Sequence, residues 1–185
     1  MRLAVAFLIV LTCMSAWSRS PAMSETAALN TRAGSIINAF QVMCTLELPN
    51  FEHIEEKAIA MRMLRQIDKT EATPGNTSTR RTLWVGTLTS GPFVLLLDEM
   101  SGAKGKSTSC AIAVNDVPDT DAFRTAAVKV MNLPTVPQPE IQSDGSRSFI
   151  WDRIFGTGTT FLIRDFKPLS KPGIMLKLLA MVGNS

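Results

Sequence analysis

The sequence has few of the residues that most often carry catalysis or ligand stacking. Its 185 residues include one histidine, three cysteines, three tryptophans and no tyrosine. The absence of tyrosine argues against a carbohydrate-stacking surface, although Trp84 or Trp151 could each supply one aromatic platform.

An excess of charge of one sign is also missing. Nineteen basic residues against 16 acidic ones give a net charge of +3. The basic residues form no cluster beyond the pair Arg80-Arg81, so the chain lacks the electrostatic footprint of a protein that binds nucleic acid or an anionic membrane. Neither partner is expected.

The N-terminus has the layout of a signal peptide. Arg2 precedes the apolar run from Leu3 to Thr12, which is about half the length that a permanent membrane helix needs. Ala16-Trp17-Ser18 places small residues at the −3 and −1 positions of a cleavage point, and Ser20-Pro21-Ala22 is a weaker alternative. We predict a signal peptide over residues 1–18 and one domain over residues 19–185, periplasmic or secreted and without a transmembrane anchor after processing.

Lipid anchoring is the alternative localisation. Val10-Leu11-Thr12-Cys13 loosely resembles a bacterial lipobox, in which a cysteine after a short apolar stretch is acylated. Thr12 stands where Gly, Ala or Ser is usual, and another cleavage point lies close by. A plain apolar-region cysteine is the preferred interpretation.

Cleavage after Ser18 would leave Cys44 and Cys110 as the only thiols. Two cysteines in an oxidising compartment usually pair, so we predict a Cys44–Cys110 disulfide closing a long loop. The alternative is two separately buried free cysteines.

Helical spacing of apolar residues predicts three helices. The first covers Ala27 to Leu46, and the second runs from Phe51 to about Gln66 with Asn50 as its cap. The third is capped by Asp119 or Thr120 and runs through Met131. The stretch from Asp68 to Thr79 is rich in Thr, Ser, Asn, Gly and Pro, which predicts a solvated loop.

Short β-prone runs predict an antiparallel meander in the middle of the chain and a later hairpin across Gly156-Thr157-Gly158. The apolar tail from Gly173 to Val182 is interpreted as a final strand, with a helix as the alternative that periodicity leaves open. The runs are Thr82 to Leu88, Phe93 to Leu97, Thr108 to Val114, Ser148 to Phe155, Thr159 to Phe166 and Gly173 to Val182. The predicted fold class is α+β: an antiparallel sheet of about five or six strands, meander plus hairpin, with two N-terminal helices and one central helix packed on it.

Residues 102–107, Gly-Ala-Lys-Gly-Lys-Ser, imitate a phosphate-binding loop. The motif requires glycine where this chain has Met100, and it requires a helix afterwards, whereas a β-prone run follows. We interpret the segment as a basic hairpin loop and expect no cofactor.

His53 lies among Glu52, Glu55 and Glu56 on the second helix. His53 with Glu56 gives at most two ligands, and zinc requires at least three from the protein. The others would have to come from Asp98, Glu99 or Asp116. A solvated helix face with local pairs to Lys57 is the better interpretation, so no metal site is predicted.

Catalytic signatures are also lacking. The chain has no Gly-x-Ser-x-Gly elbow, and both remaining cysteines are expected to be oxidised. The acid pairs Asp98-Glu99 and Asp116 with Asp119 and Asp121 could cut a glycosidic bond in principle, but acids beside turns are more often caps or loop residues. We predict no catalytic residues and regard enzyme activity as unsupported.

Three hypotheses for function remain. The preferred one is a non-catalytic extracytoplasmic module that binds an envelope or extracellular protein, or a small ligand, through an open sheet face or edge. The second is an envelope hydrolase, which a pocket gathering Asp98, Asp116 and His53 would support. The third is an envelope-assembly factor lipidated at Cys13.

Overall fold

The structure is a computed structural model that describes residues 32–73, 77–103, 105–166 and 171–183. The predicted signal peptide, its cleavage point and Cys13 lie outside the described residues. They therefore stay predictions.

Within the described residues three helices are present, in the predicted order, and residues 27–31 of the predicted first helix lie outside them. The first, α1, covers residues 32–40 and continues as a π-helical turn, Gln41–Thr45. The second, α2, is Phe51–Ala60, and the third, α3, is Thr120–Val130. Both predicted caps are found: the Asn50 side chain accepts a hydrogen bond from the backbone N–H of His53, and Asp119 accepts one from that of Ala122.

In the part of the chain that the structure describes, eight strands form a single antiparallel sheet in the order β1-β2-β3-β4-β8-β7-β6-β5. Their bounds are β1 Leu64–Thr73, β2 Thr77–Leu88, β3 Gly91–Gly102, β4 Gly105–Asn115, β5 Glu140–Ile141, β6 Arg147–Asp152, β7 Thr159–Phe166 and β8 Gly173–Val182. The α+β class is confirmed, and so are the central meander, the later hairpin and the last strand.

The sheet consists of two four-stranded meanders that meet at its centre. Strands β4 and β8 join them, antiparallel, from Lys106 opposite Val182 to Asn115 opposite Gly173. Each meander is preceded in the chain by a helix that packs on the sheet. The sheet is therefore built of two structural halves.

The strand count and the second helix differ from prediction. The segment from Asp68 to Thr79, predicted as a loop, belongs mostly to the β1–β2 hairpin. Threonine favours extended backbone, and cross-strand pairing outweighs the polar composition. Helix α2 ends at Ala60 instead of Gln66, because Arg62 adopts a left-handed φ of 57° and β1 begins two residues later.

One face of the sheet, the covered face, lies beneath the helices. Alternate residues along β2 to β8 point into it and form most of the core: Trp84, Phe93, Leu95, Leu97, Ile112, Val114, Phe149, Trp151, Phe161, Ile163, Ile174, Leu176 and Leu178. Phe40 of α1 packs on Phe161, with ring centroids 5.5 Å apart. Cys44, in the turn that continues α1, is bonded to Cys110 of β4, and Phe40 packs on β7. Helix α1 therefore bridges both halves of the sheet.

The predicted disulfide joins Cys44 to Cys110 across 66 positions of sequence, with the two Cα atoms 5.4 Å apart. Cys44 lies in the π-helical turn of α1 and Cys110 in β4, and both residues are 0% exposed. The bridge therefore fastens the first helix to the centre of the sheet, as the sequence predicted. A disulfide of this kind indicates an oxidising, extracellular environment.

Candidate binding surface

The second face of the sheet, here called the open face, has no described helix packed on it. The register between neighbouring strands is unbroken, so their alternate side chains form continuous rows across this face. One row runs Leu83, Leu96, Ala111, Lys177, Leu162 and Ile150, and the next runs Val85, Val94, Ala113, Met175, Arg164 and Ser148.

Most side chains in these two rows are apolar and only half-buried. A sheet face that meets only water normally alternates against its core side with polar residues. Here β3 carries Val94 and Leu96 on the open face between the core residues Leu95 and Leu97. The two rows of the open face are thus largely apolar.

Methionines extend the apolar character towards one end of the open face. Met100 and Met181 flank Ser107 in the same row and are 50% and 66% exposed. Flexible, polarizable methionine side chains adapt to differently shaped partners. Together with Met175, they give this face a deformable apolar lining.

A charged group lies beside the first apolar row: Arg81 and Asp98 stand in the neighbouring row on β2 and β3, and Lys177 stands in the apolar row itself. Arg81 Nε lies 2.5 Å from Asp98 Oδ1, and Lys177 Nζ lies 3.9 Å from Asp98 Oδ2. The hydrogen bond to Asp98 and the negative charge of Asp98 raise the pKa of Arg81. Since the one carboxylate of Asp98 is shared between two cations, these three side chains together carry a net positive charge.

A second charged pair marks the β6–β7 side of the open face. Arg164 donates to Asp144 Oδ2 at 2.8 Å and to the Ser146 hydroxyl at 3.0 Å. Hydrogen bonds from Ser146 to Asp144, with the nearby charge of Arg164, lower the pKa of the Asp144 carboxyl. The apolar rows are thus bordered by charged groups that are already paired, which is the usual rim of an interaction surface.

The covered face has its own polar cluster, at the N-terminal end of α3. Asp165 is 7% exposed, and its Oδ2 atom accepts hydrogen bonds from Arg124 and Arg147. Both guanidinium groups also lie over the ring of Phe149. This network holds α3 to β6 and β7, and every cation in it has a carboxylate partner, so we interpret it as structural.

The structure does not bring the candidate hydrolase residues together. Asp98 lies on the open face, whereas His53 is on α2, which packs on the opposite face of the sheet. Asp116 lies just beyond the end of β4, where it binds Lys171 at 2.9 Å. The hydrogen bond and charge of Lys171 lower the pKa of Asp116, which suits an ion pair at a loop.

His53 pairs with Glu47, at 3.5 Å, and Lys57 binds the same carboxylate at 2.5 Å. Glu47 precedes α2, so the local pairs involve a residue outside the acidic group considered from the sequence. Within residues 32–73, 77–103, 105–166 and 171–183, no group of three His, Cys, Asp or Glu side chains is placed to hold a metal ion.

The phosphate-loop imitation and the two tryptophans considered as aromatic platforms belong to the framework of the sheet. The phosphate-loop imitation lies at the β3–β4 turn and is followed by strand β4, with Lys106 bound to Glu99 at 2.6 Å. Trp84 and Trp151 are 3% and 4% exposed on the covered face, so neither forms an aromatic platform at the surface.

The open face was not predicted residue by residue. A signal for it exists in β3, where Phe93 to Leu97 is apolar without alternation, a pattern typical of a strand with both faces against apolar groups. The helices account for one of these faces, and the other is the open face.

The fold and the disulfide define a stapled α+β domain of an oxidising compartment. Comparison of the chain with protein-family models, with curated proteins and with solved structures finds no match. In the part of the chain that the structure describes, no helix has both the length and the apolar character needed to cross a membrane.

Proposed function

We propose that this chain is an exported, non-catalytic binding module that recognises a protein partner through the open face of its sheet. The observation that carries the proposal is the pair of apolar rows on that face, which leave Val94, Leu96 and Met175 only half-buried. Water contact with such a surface is unfavourable by about 25 cal/mol for each Å² of apolar area. A partner that covers it recovers that free energy.

The shape of the face favours a macromolecular partner. Small ligands usually occupy concave pockets that enclose most of their surface. A hollow of about 240 Å³ lies at the β1–β2 edge, lined by residues that include Lys69 and Arg81 and by none of the residues of the two apolar rows. The rows themselves extend across six strands of the sheet, which suits the apolar face of another protein.

The charged group of Arg81, Asp98 and Lys177 restricts which partners can bind. Lys177 and Arg81 share the single carboxylate of Asp98, so the surface retains positive charge beside its apolar rows. A partner with a carboxylate among apolar side chains would complete this arrangement, and one with a buried cation there would be rejected.

The test compares two matched double variants as bait. Met100→Asp/Met181→Asp places charges on the open face, and Ile59→Asp/Val130→Asp places them at exposed apolar positions on α2 and α3. All four sites are exposed, so the free energy of unfolding of each variant should lie within about 1 kcal/mol of that of the unmodified protein. The bait is added to the extracytoplasmic fraction of the producing cells, and captured proteins are identified by mass spectrometry.

We expect a partner that binds the unmodified chain and the helix variant and that loses at least about tenfold in affinity for the open-face variant. Equal binding by both variants would refute the assignment to the open face. Export is tested separately by the intact mass of the mature protein: a chain beginning at Arg19 supports the signal peptide, and an acylated Cys13 would replace it with a lipid anchor.

A further inference from the structure

We infer that the β1 edge of the sheet pairs with the same edge of a second copy of this chain, giving a symmetric dimer with one continuous sheet. The two edges of the sheet differ sharply. Strand β5, at one edge, is only Glu140–Ile141, and Pro137 and Pro139 lie just before it. Strand β1, at the other, is Leu64–Thr73, and no described strand pairs with its outer side.

Short strands and prolines protect a sheet edge from pairing, whereas a long edge strand offers a row of free backbone donors and acceptors. Every second residue of β1 directs its N–H and C=O groups away from β2. The β5 edge is therefore blocked and the β1 edge is available, and only a strand that joins β1 can satisfy those groups with protein partners.

The charges on β1 fit a second β1 in one register. When two copies run antiparallel with Thr70 facing Thr70, Lys69 faces Glu71 of the second copy, and Glu71 faces its Lys69. Each side chain stays on its own face of the sheet only when one strand slides by two residues. A slide in one direction places Lys69 opposite Lys69, and a slide in the other places Glu71 opposite Glu71. Opposite charges across a strand pair stabilise it and like charges destabilise it, so the register centred on Thr70 is selected.

Contacts within one copy leave Lys69 in need of such a partner. Its cross-strand neighbour on β2 is Arg81, a like charge whose carboxylate partner is Asp98 on the far side. Among the described residues, Lys69 has no carboxylate within 4.0 Å. The same side chains, with Ile67, Glu71 and Thr79, line the hollow at this edge, which a second β1 would close.

The bulge in β1 is consistent with this register. The pairing of β1 with β2 is irregular between Arg65 and Ile67. The register centred on Thr70 begins its overlap at Ile67, so the paired segment lies wholly beyond the bulge, where the strand is regular.

Charge reversal with restoration tests the dimer. Dimerisation of the mature protein, its monomer and dimer measured by sedimentation equilibrium, is expected with a Kd between about 1 µM and 1 mM, as suits a small interface. Lys69→Glu and Glu71→Lys should each weaken it by about tenfold or more, since two attractive pairs become repulsive. The double variant, which exchanges the charges, should return to within about threefold of the unmodified protein.

A cysteine at Thr70 reports the register directly. Directly opposed Cα atoms in an antiparallel pair lie about 4.5–5.5 Å apart, within the range of a disulfide. Since Cys44 and Cys110 are bridged, Thr70→Cys with Cys13→Ser supplies a single free thiol. We expect oxidation to give a covalent dimer, and a control thiol at the exposed Thr87, which is in β2, to give none.

A protein that stays monomeric at all concentrations, or a double variant as weak as the single ones, would overturn the inference. It does not rest on the proposed function: Met100→Asp/Met181→Asp leaves β1 unchanged and should dimerise normally, while the β1 variants should keep the open-face partner.

Discussion

Replacing both cysteines of the bridge by alanine, Cys44→Ala/Cys110→Ala, should cost roughly 5–6 kcal/mol of unfolding free energy. The chain-entropy relation gives about 4 kcal/mol for a loop closed across 66 positions. Loss of two sulfur atoms from sites that are 0% exposed adds roughly 1–2 kcal/mol through lost packing. Because whole domains are stable by only about 5–15 kcal/mol, the variant should be marginal.

The assay is urea unfolding of the unmodified and the double-alanine protein, each with and without reductant. Reductant should lower the unfolding midpoint of the unmodified protein and leave that of the variant unchanged. Because both sulfur atoms are buried, reduction under native conditions should proceed no faster than unfolding exposes them. The dependence of free energy on urea should steepen without the bridge, because the unfolded chain expands.

A loss below about 1 kcal/mol would refute this reasoning. It would mean that the reduced, unfolded chain already keeps α1 near β4, so that the bridge removes little freedom. An equal effect of reductant on the variant would show that the measured change comes from something other than the bridge.

Four further predictions concern the core and the charges. Phe161→Ala, which empties a 0% exposed site, should lower the unfolding free energy by about 3–5 kcal/mol in urea titration. Gly86→Ala should cost about 1–3 kcal/mol, because a Cβ there would lie 2.7 Å from the Phe93 ring, and the double variant with Phe93→Leu should recover part of it. Asp165→Asn should cost about 2–3 kcal/mol in thermal unfolding, because Arg124 and Arg147 lose the buried carboxylate that they share and keep only the exposed Asp121. The hydrogen bond from Arg124 lowers the pKa of Asp121, so its contribution to stability is present above the ordinary aspartate pKa of 3.8 and lost as pH falls below it; a Tm that rises on acidification would contradict this.

The class of fold could be predicted because the local signals were strong where they mattered. Asn50 and Asp119 stand directly before apolar-periodic segments, and each is a helix cap in the structure. The β-prone run from Thr159 to Phe166 coincides with β7. Capping and strand alternation depend on neighbouring residues only, so one sequence is enough to detect them.

The missed strand shows where local signals fail. Leu64 to Thr73 carries charged and polar residues on both sides, because β1 lies at the edge and buries little. Its pairing with β2 provides the stabilisation, and such tertiary pairing is absent from a pattern of hydrophobicity. For the same reason the predicted C-terminal end of α2 lies too far along the chain. Ile59 and Met61 continue the apolar pattern, although both side chains are exposed.

The disulfide was predicted from counting and compartment, and the open face was not predicted at the level of residues. A run such as Phe93 to Leu97 shows that both faces of a strand are apolar, but the identity of what lies on each face depends on where the helices pack. That information comes from the β4–β8 junction and from α1, which are separated widely along the chain.

The division of the sheet into two meanders has a consequence for how the chain becomes structured as it is made. Both cysteines and all of β1 to β4 lie in the first half, which ends at Asn115. That half can therefore close its covalent bridge before β8 exists. Once closed, it holds β4 in place with one side unpaired, as a template on which the second half is added strand by strand.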